Sequence, residues 1–198
     1  MLKIGITGGI GSGKTTVCRV FETLGIPVFY ADTVAKQIMV TDPILIQGVK
    51  DTFGVESYTP EGVLNNKHIA GIVFNQAAEL EKLNQLVHPA VFRAFETWAA
   101  QISSNVPYIL KEAALLFESG SYQLCDLNVL VVAPLATRLQ RVMQRDGVTE
   151  EQVRARMDKQ RSDEEKATMA DMLVHNNETD SLITQVMALH HQFLNTSP

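Results

Sequence analysis

The sequence predicts an α/β fold built on a parallel sheet. Three observations predict it. Short apolar segments rich in β-branched residues alternate with segments of helical spacing. A glycine-rich loop, Gly8-Gly9-Ile10-Gly11-Ser12-Gly13, joins the first such segment to a helix. The chain has 198 residues, 45% hydrophobic and 20% charged, which suits one globular domain able to bury a core without staples.

The elements follow in order. Leu2 to Thr7 carries Ile4 and Ile6 in a short apolar run, a buried strand. Lys14 to Leu24 places Val17, Val20, Phe21 and Leu24 at helical spacing; Gly25 stops that helix and Pro27 follows it. Pro27 to Tyr30 reads as a second strand, after which Asp32 opens a helix over about 33–40. From Thr41 to Gln101 the texture is helical. Breaks are expected at Asp42-Pro43, Phe53-Gly54, Thr59-Pro60-Glu61-Gly62 and His88-Pro89, giving three or four short helices. Pro107 to Lys111 returns to strand, and Leu127 to Val132 is the clearest strand in the chain, ended by Ala133-Pro134. Leu135 to Gln144 is a basic helix. Thr149, with Glu151 and Gln152 behind it, opens a helix expected to run to about Arg161. Met172 to His175 is a short fifth strand, and Ser181 to Leu194 a closing amphipathic helix. Alternation of strand and helix implies a parallel sheet, with the helical stretch as an insert over the carboxyl edge, where such sheets bind ligands.

Composition narrows the partners. A net charge of −5 argues against a general nucleic-acid binder, while local Lys and Arg can still hold a nucleotide. Cys18 and Cys125 have neither zinc nor redox spacing and read as buried free thiols, which fits a reducing compartment. No signal peptide is visible at the start of the chain. The apolar run at Val129-Leu130-Val131-Val132 is far too short to cross a bilayer, so a cytoplasmic location is expected.

Gly8, Gly13, Lys14 and Thr15 satisfy Gly-x4-Gly-Lys-Thr, with the strand before and the helix after that a phosphate-binding loop requires. Glycine backbone turns the amides of Gly9, Gly11, Ser12, Gly13, Lys14, Thr15 and Thr16 toward phosphate oxygens. Lys14 reaches the β- and γ-phosphates, and the Thr15 hydroxyl ligates Mg2+. The pattern reads as binding of a nucleoside triphosphate with Mg2+ and does not say where the γ-phosphate goes. A switch GTPase would carry Asn-Lys-x-Asp, whereas Asn66-Lys67 is followed by His68 and Ile69; Asp51-Thr-Phe-Gly54 matches only a two-position pattern. A motor ATPase would be larger. A small kinase needs an acceptor pocket and an arginine-bearing lid, which the insert and the basic helix can supply.

Asp32, just after the second strand, reads either as a helix N-cap or as the group that orients an acceptor hydroxyl and takes its proton. Arg138, Arg141 and Arg145 share one helix face, as a solvated basic stripe or as a clamp on the moving phosphoryl group. His88 reads as a helix-ending residue. Glu112 and Glu118 flank an apolar segment, where a carboxylate could hold Mg2+ through water or support the acceptor.

Several segments together resemble dephospho-CoA kinases: IGITGGIGSGKTTV, PVFYADTVAK, LVHPAVF, EAALLFESG, TRLQRVMQRDGVTEEQVRARMDKQ and ADMLVHNNET. They cover nearly the whole chain in the right order. Two departures stand out: Ala114 where the family has Pro, and His175-Asn176-Asn177-Glu178 where it has Asp-Asn, a small residue and Gly. The resemblance implies an adenylate-kinase-like P-loop fold with a five-stranded parallel sheet, a helical acceptor-binding insert and a lid. It implies one kinase domain with a core over about 1–40, 102–136 and 165–198, an insert over about 41–101 and a lid over about 137–164. The implied activity is phosphorylation of the ribose 3'-hydroxyl of dephospho-CoA by ATP with Mg2+, by a monomer or weak oligomer without nucleic-acid or membrane partners. Asp32 would orient the acceptor hydroxyl, Arg138 and Arg141 would face the phosphates, Asn176 would lie near the adenine, and His88 and Glu118 would support the acceptor site. Another small nucleoside or nucleotide kinase, or a nucleotide-dependent switch, are the alternative readings.

Overall fold

The computed structural model describes residues 1–74 and 76–196. Among them, five strands form one all-parallel sheet: β1 (Leu2–Thr7), β2 (Val28–Tyr30), β3 (Tyr108–Glu112), β4 (Leu127–Val132) and β5 (Met172–His175), in the order β2-β3-β1-β4-β5. β1 is central. Leu2 lies beside Tyr108 and Ile6 beside Glu112 on one flank, and Ile4 lies beside Leu127 and Thr7 beside Leu130 on the other. The parallel crossovers put helices on the sheet, so Ile4, Ile6, Val129, Leu130 and Val131 are fully buried and no in-out alternation appears in their segments.

The chain divides into two compact units. One runs from Met1 to Tyr30 and from Ile102 onward; the other is Ala31–Gln101. In the first, helices α1 (Lys14–Thr23) and α9 (Leu182–Thr196) pack together on the sheet. Phe21, Phe193 and Tyr108 form an aromatic cluster there, with Val17, Val186 and Leu189 around it. Each such large apolar side chain contributes roughly 1.5–3 kcal/mol by leaving water.

The second unit is helical: α2 (Ala31–Thr41), α3 (Pro43–Phe53), α4 (Asn66–Val73) and α5 (Ala77–Gln101). Asp42 caps α3, accepting from the N–H groups of Ile44 at 2.9 Å and Leu45 at 3.1 Å, with Pro43 in the first turn. The expected break at His88-Pro89 does not occur: α5 runs 25 residues with Pro89 inside it. Proline removes one backbone donor there, yet Ala90, Val91, Phe95 and Ala99 keep a buried stripe through the following turns. That continuous burial overrides the local cost.

α6 (Leu135–Asp146) and α7 (Glu150–Met157) follow β4, and Thr149 forms the expected capping box with Gln152. α7 stops at Met157 rather than near Arg161. A separate helix, α8 (Asp163–Met169), begins after Ser162, whose side chain and Glu165 form a second capping box. α2 begins at Ala31, two residues before the expected start near residue 33, so Asp32 is a first-turn acid rather than the N-cap. Cys18 is buried, as expected, and burial together with Glu112 and Glu22 pushes its thiol pKa up; Cys125 is only half-buried.

On α9, His190 Nδ1 meets the Tyr108 hydroxyl. Burial, aided by His191, holds the His190 pKa below its ordinary 6.5, and burial lowers His88 as well. Such histidines stay neutral in the fold while the unfolded chain protonates, so stability is complete above about pH 6.5 and falls as pH drops toward the folded pKa values. Thermal melts should therefore show Tm decreasing between about pH 7.5 and about pH 5.5, less steeply for His190→Gln than for the parent. Identical slopes would remove His190 from this account.

Candidate active site

The loop after β1 turns on glycines. Gly13 has φ +94, and a Cβ there would stand 2.1 Å from Asn176 Nδ2. At Gly9 a Cβ would stand 2.1 Å from the Arg138 guanidinium, so a side chain at either glycine would push these partners off the loop. α1 begins at Lys14 with Gly13 as its N-cap, leaving the first N–H groups without intrahelical acceptors. These donors and the positive end of the helix dipole make an anion site.

Beside the loop is a pocket of about 320 Å³ lined by Gly11, Gly13, Lys14, Thr15, Thr16, Arg19, Arg141, Val142 and Arg145. Its charged lining is wholly cationic, in a chain whose net charge is −5. Lys14 is buried, its Nζ donating to Gly8 O at 2.9 Å. Thr15 and Thr16 are exposed, and their hydroxyls make no hydrogen bond among the described residues. A Mg2+ ion held through one hydroxyl, water and phosphate oxygens needs no cage of carboxylates, so an exposed Thr15 whose hydroxyl is uncommitted fits it.

The basic helix splits its roles. Arg141 lines the pocket, its Nη1 and Nη2 lying 3.5 Å from Gly11 O and Asn176 Oδ1. Arg145 also lines it while pairing with Asp146 at 2.7 Å. Arg138 is buried beneath the loop: Nε donates to Ile10 O at 2.9 Å and Nη1 pairs with Asp163 at 2.7 Å. Its guanidinium does not join the pocket lining beside Arg141. Asn176, immediately after β5, donates from Nδ2 to Ser12 O at 2.8 Å, which latches the fifth strand to the loop.

Other predicted residues lie elsewhere. Asp32 is exposed, and its carboxylate makes no hydrogen bond or ion pair among the described residues. Glu112 is buried at the carboxyl end of β3. Glu118 accepts from the Arg161 N–H at 2.9 Å and lies 3.3 Å from the buried Lys166 Nζ, so its carboxylate anchors the segment between α7 and α8. In the helical unit an open groove of about 630 Å³ is walled mainly by apolar side chains, among them Met39, Val40, Val63, Ile69, Leu83 and Val87. His88 is half-buried on α5 and is not part of that wall.

Arg19 was not foreseen. It sits one turn beyond Thr15 on the same helix, and helical side chains lean toward the N-terminus, which brings it to the pocket. That periodicity was available in the sequence. Gln160 and Asp163, which hold the loop from outside, carry no motif that would have marked them.

Residues 2–181 match the family model described as dephospho-CoA kinase. A protein named dephospho-CoA kinase from Salinibacter ruber is 43% identical over 180 residues, covering 90% of each chain. A crystal structure from Thermus thermophilus superposes with a TM-score of 0.82 at 32% identity, covering 100% of this chain and 98% of that one. A dephospho-CoA kinase from Campylobacter jejuni superposes with a TM-score of 0.70 at 25% identity, covering 99% and 98%.

The glycine geometry makes one change decisive. Gly13→Ala should weaken ADP binding at least about tenfold, because it adds left-handed strain and displaces Asn176 from the loop. Titration calorimetry reads this directly, and unchanged affinity would show that the loop tolerates another shape.

Proposed function

The chain belongs to the dephospho-CoA kinase family, and on that premise we propose how its residues carry out the reaction. The family transfers the γ-phosphoryl group of ATP to dephospho-CoA, yielding CoA and ADP in the last step of CoA synthesis. One observation carries the assignment of the donor site: four cationic side chains line a pocket at the N-terminus of α1, beside a glycine loop fixed from outside.

Lys14 and the α1 N–H groups take the β- and γ-phosphates. Arg141 approaches them from α6, while Arg138 supports the loop from below. Gly8, Gly9, Gly11, Ser12, Gly13 and Thr16 complete the cradle, and Asn176 fixes its far side. Thr15 would hold Mg2+, which when bound offsets the charge on the β- and γ-phosphate oxygens. Asp32 orients the ribose 3'-hydroxyl. As that oxygen bonds to the γ-phosphorus, the bond from phosphorus to the β,γ-bridging oxygen breaks. The hydroxyl proton passes to the Asp32 carboxylate and from there to water. The apolar groove of the helical unit suits the long, mostly uncharged pantetheine arm. Since their side chains are engaged elsewhere or lie outside that wall, Glu118 and His88 are assigned supporting roles only.

A monomer or weak oligomer acting on a small-molecule acceptor is part of this proposal. The free thiols support a cytoplasmic location, and no described helix is long and apolar enough to cross a membrane.

Incubation with ATP, Mg2+ and dephospho-CoA should yield ADP and a product heavier by one phosphate. Asp32→Asn should lower kcat by about 10²–10⁴-fold while ADP affinity is retained. Near-full turnover by that variant would leave Asp32 with only its helix-dipole role.

A further inference from the structure

Ile10, at the crest of the loop, is held at both of its polar backbone atoms by side chains from distant segments. Its N–H donates to Gln160 Oε1 at 2.9 Å, and its carbonyl accepts from Arg138 Nε at 2.9 Å. Gln160 is half-buried between α7 and α8, and its Nε2 donates to Ala114 O at 3.2 Å. One amide therefore ties the crest of the loop to the segment leaving β3. Arg138 is itself fixed by Asp163 at the start of α8. The two side chains that grip Ile10 thus come from either side of α7.

Gripping Ile10 has a chemical consequence. Its N–H is already used, as is that of Ser12, which donates to Gly9 O at 3.0 Å. The peptide planes on both sides of Ile10 are then fixed before any phosphate arrives. A free loop would have to lose that freedom on binding, which weakens affinity.

We propose that Gln160 is a positioning residue that, opposite Arg138, locks the Ile10 peptide and keeps the phosphate cradle in its binding shape. It does not touch the nucleotide; it acts through Ile10. The proposal rests on the reading of this loop as the donor-phosphate site.

The test uses the full chain and the variants Gln160→Met, which keeps side-chain length and loses both hydrogen bonds, and Gln160→Glu, which keeps an acceptor for the Ile10 N–H. ADP affinity is measured by calorimetry, without acceptor. Gln160→Met should raise the ADP Kd about 5–10-fold, leave the KM for dephospho-CoA within about twofold and leave Tm within about 3 °C. Gln160→Glu should recover at least about half of the lost binding free energy. Unchanged ADP affinity in Gln160→Met overturns the proposal. So does a loss in which Tm and acceptor KM deteriorate equally, since that is general loosening; should Gln160→Met fail to fold, wild-type Tm with tenfold weaker ADP binding in Gln160→Glu overturns it too. Wild-type phosphorylation of dephospho-CoA is measured alongside. Its absence would refute the functional reading while the ADP titrations still decide the role of Gln160.

Discussion

Aiming several backbone N–H groups at one point is unfavourable until an anion fills that point, and the rest of the structure answers to this constraint. The donors after β1 repel one another, so the loop cannot hold its shape by internal bonding alone. It is held instead from outside. Arg138 and Gln160 take the two polar atoms of Ile10, and Asn176 takes the carbonyl of Ser12. Lys14 folds back on Gly8. The contacts from Arg138, Gln160 and Asn176 occupy the polar atoms of Ile10 and the carbonyl of Ser12, and the first amides of α1 remain available.

The sheet explains why such distant residues can meet. β1 is central, between β3 and β4, and β5 lies beyond β4. Parallel strands deliver all their carboxyl ends to one edge, so Asn176 after β5 and the glycine loop after β1 share it although they lie far apart in the chain. The packing of Phe21 and Phe193 fixes α1 and α9 to the same sheet, which keeps the N-terminus of α1 where the loop needs it. Core burial thus serves the site by making the helix end immobile.

Much of this was legible in the residues. Glycines that must take left-handed backbone, a lysine and a threonine at fixed offsets, and β-branched runs around them leave few alternatives, so the loop, the five strands and the parallel sheet could be read directly. The family resemblance supplied the acceptor, which no spacing encodes. Misreadings came where tertiary burial overrode local signals. Pro89 looked like a helix end because its missing donor is visible in sequence, whereas the buried stripe that outweighs it is visible only in three dimensions. α7 was expected to run to about Arg161 but stops at Met157, and a separate helix opens behind the Ser162 capping box. Arg138 and Arg141 share a periodicity and divide in the fold, one under the loop and one in the pocket. Gln160 was invisible, since an isolated glutamine acquires meaning only from the carbonyl and amide it meets.

Residue-resolved amide hydrogen exchange on the nucleotide-free protein tests the central claim most directly. A cradle held from outside predicts that the Ile10 and Ser12 amides are already protected, and that ADP adds protection chiefly at Gly11, Lys14, Thr15 and Thr16. Rapid exchange at Ile10 and Ser12 that slows only when ADP binds would contradict it, because the nucleotide itself would then be shaping the loop.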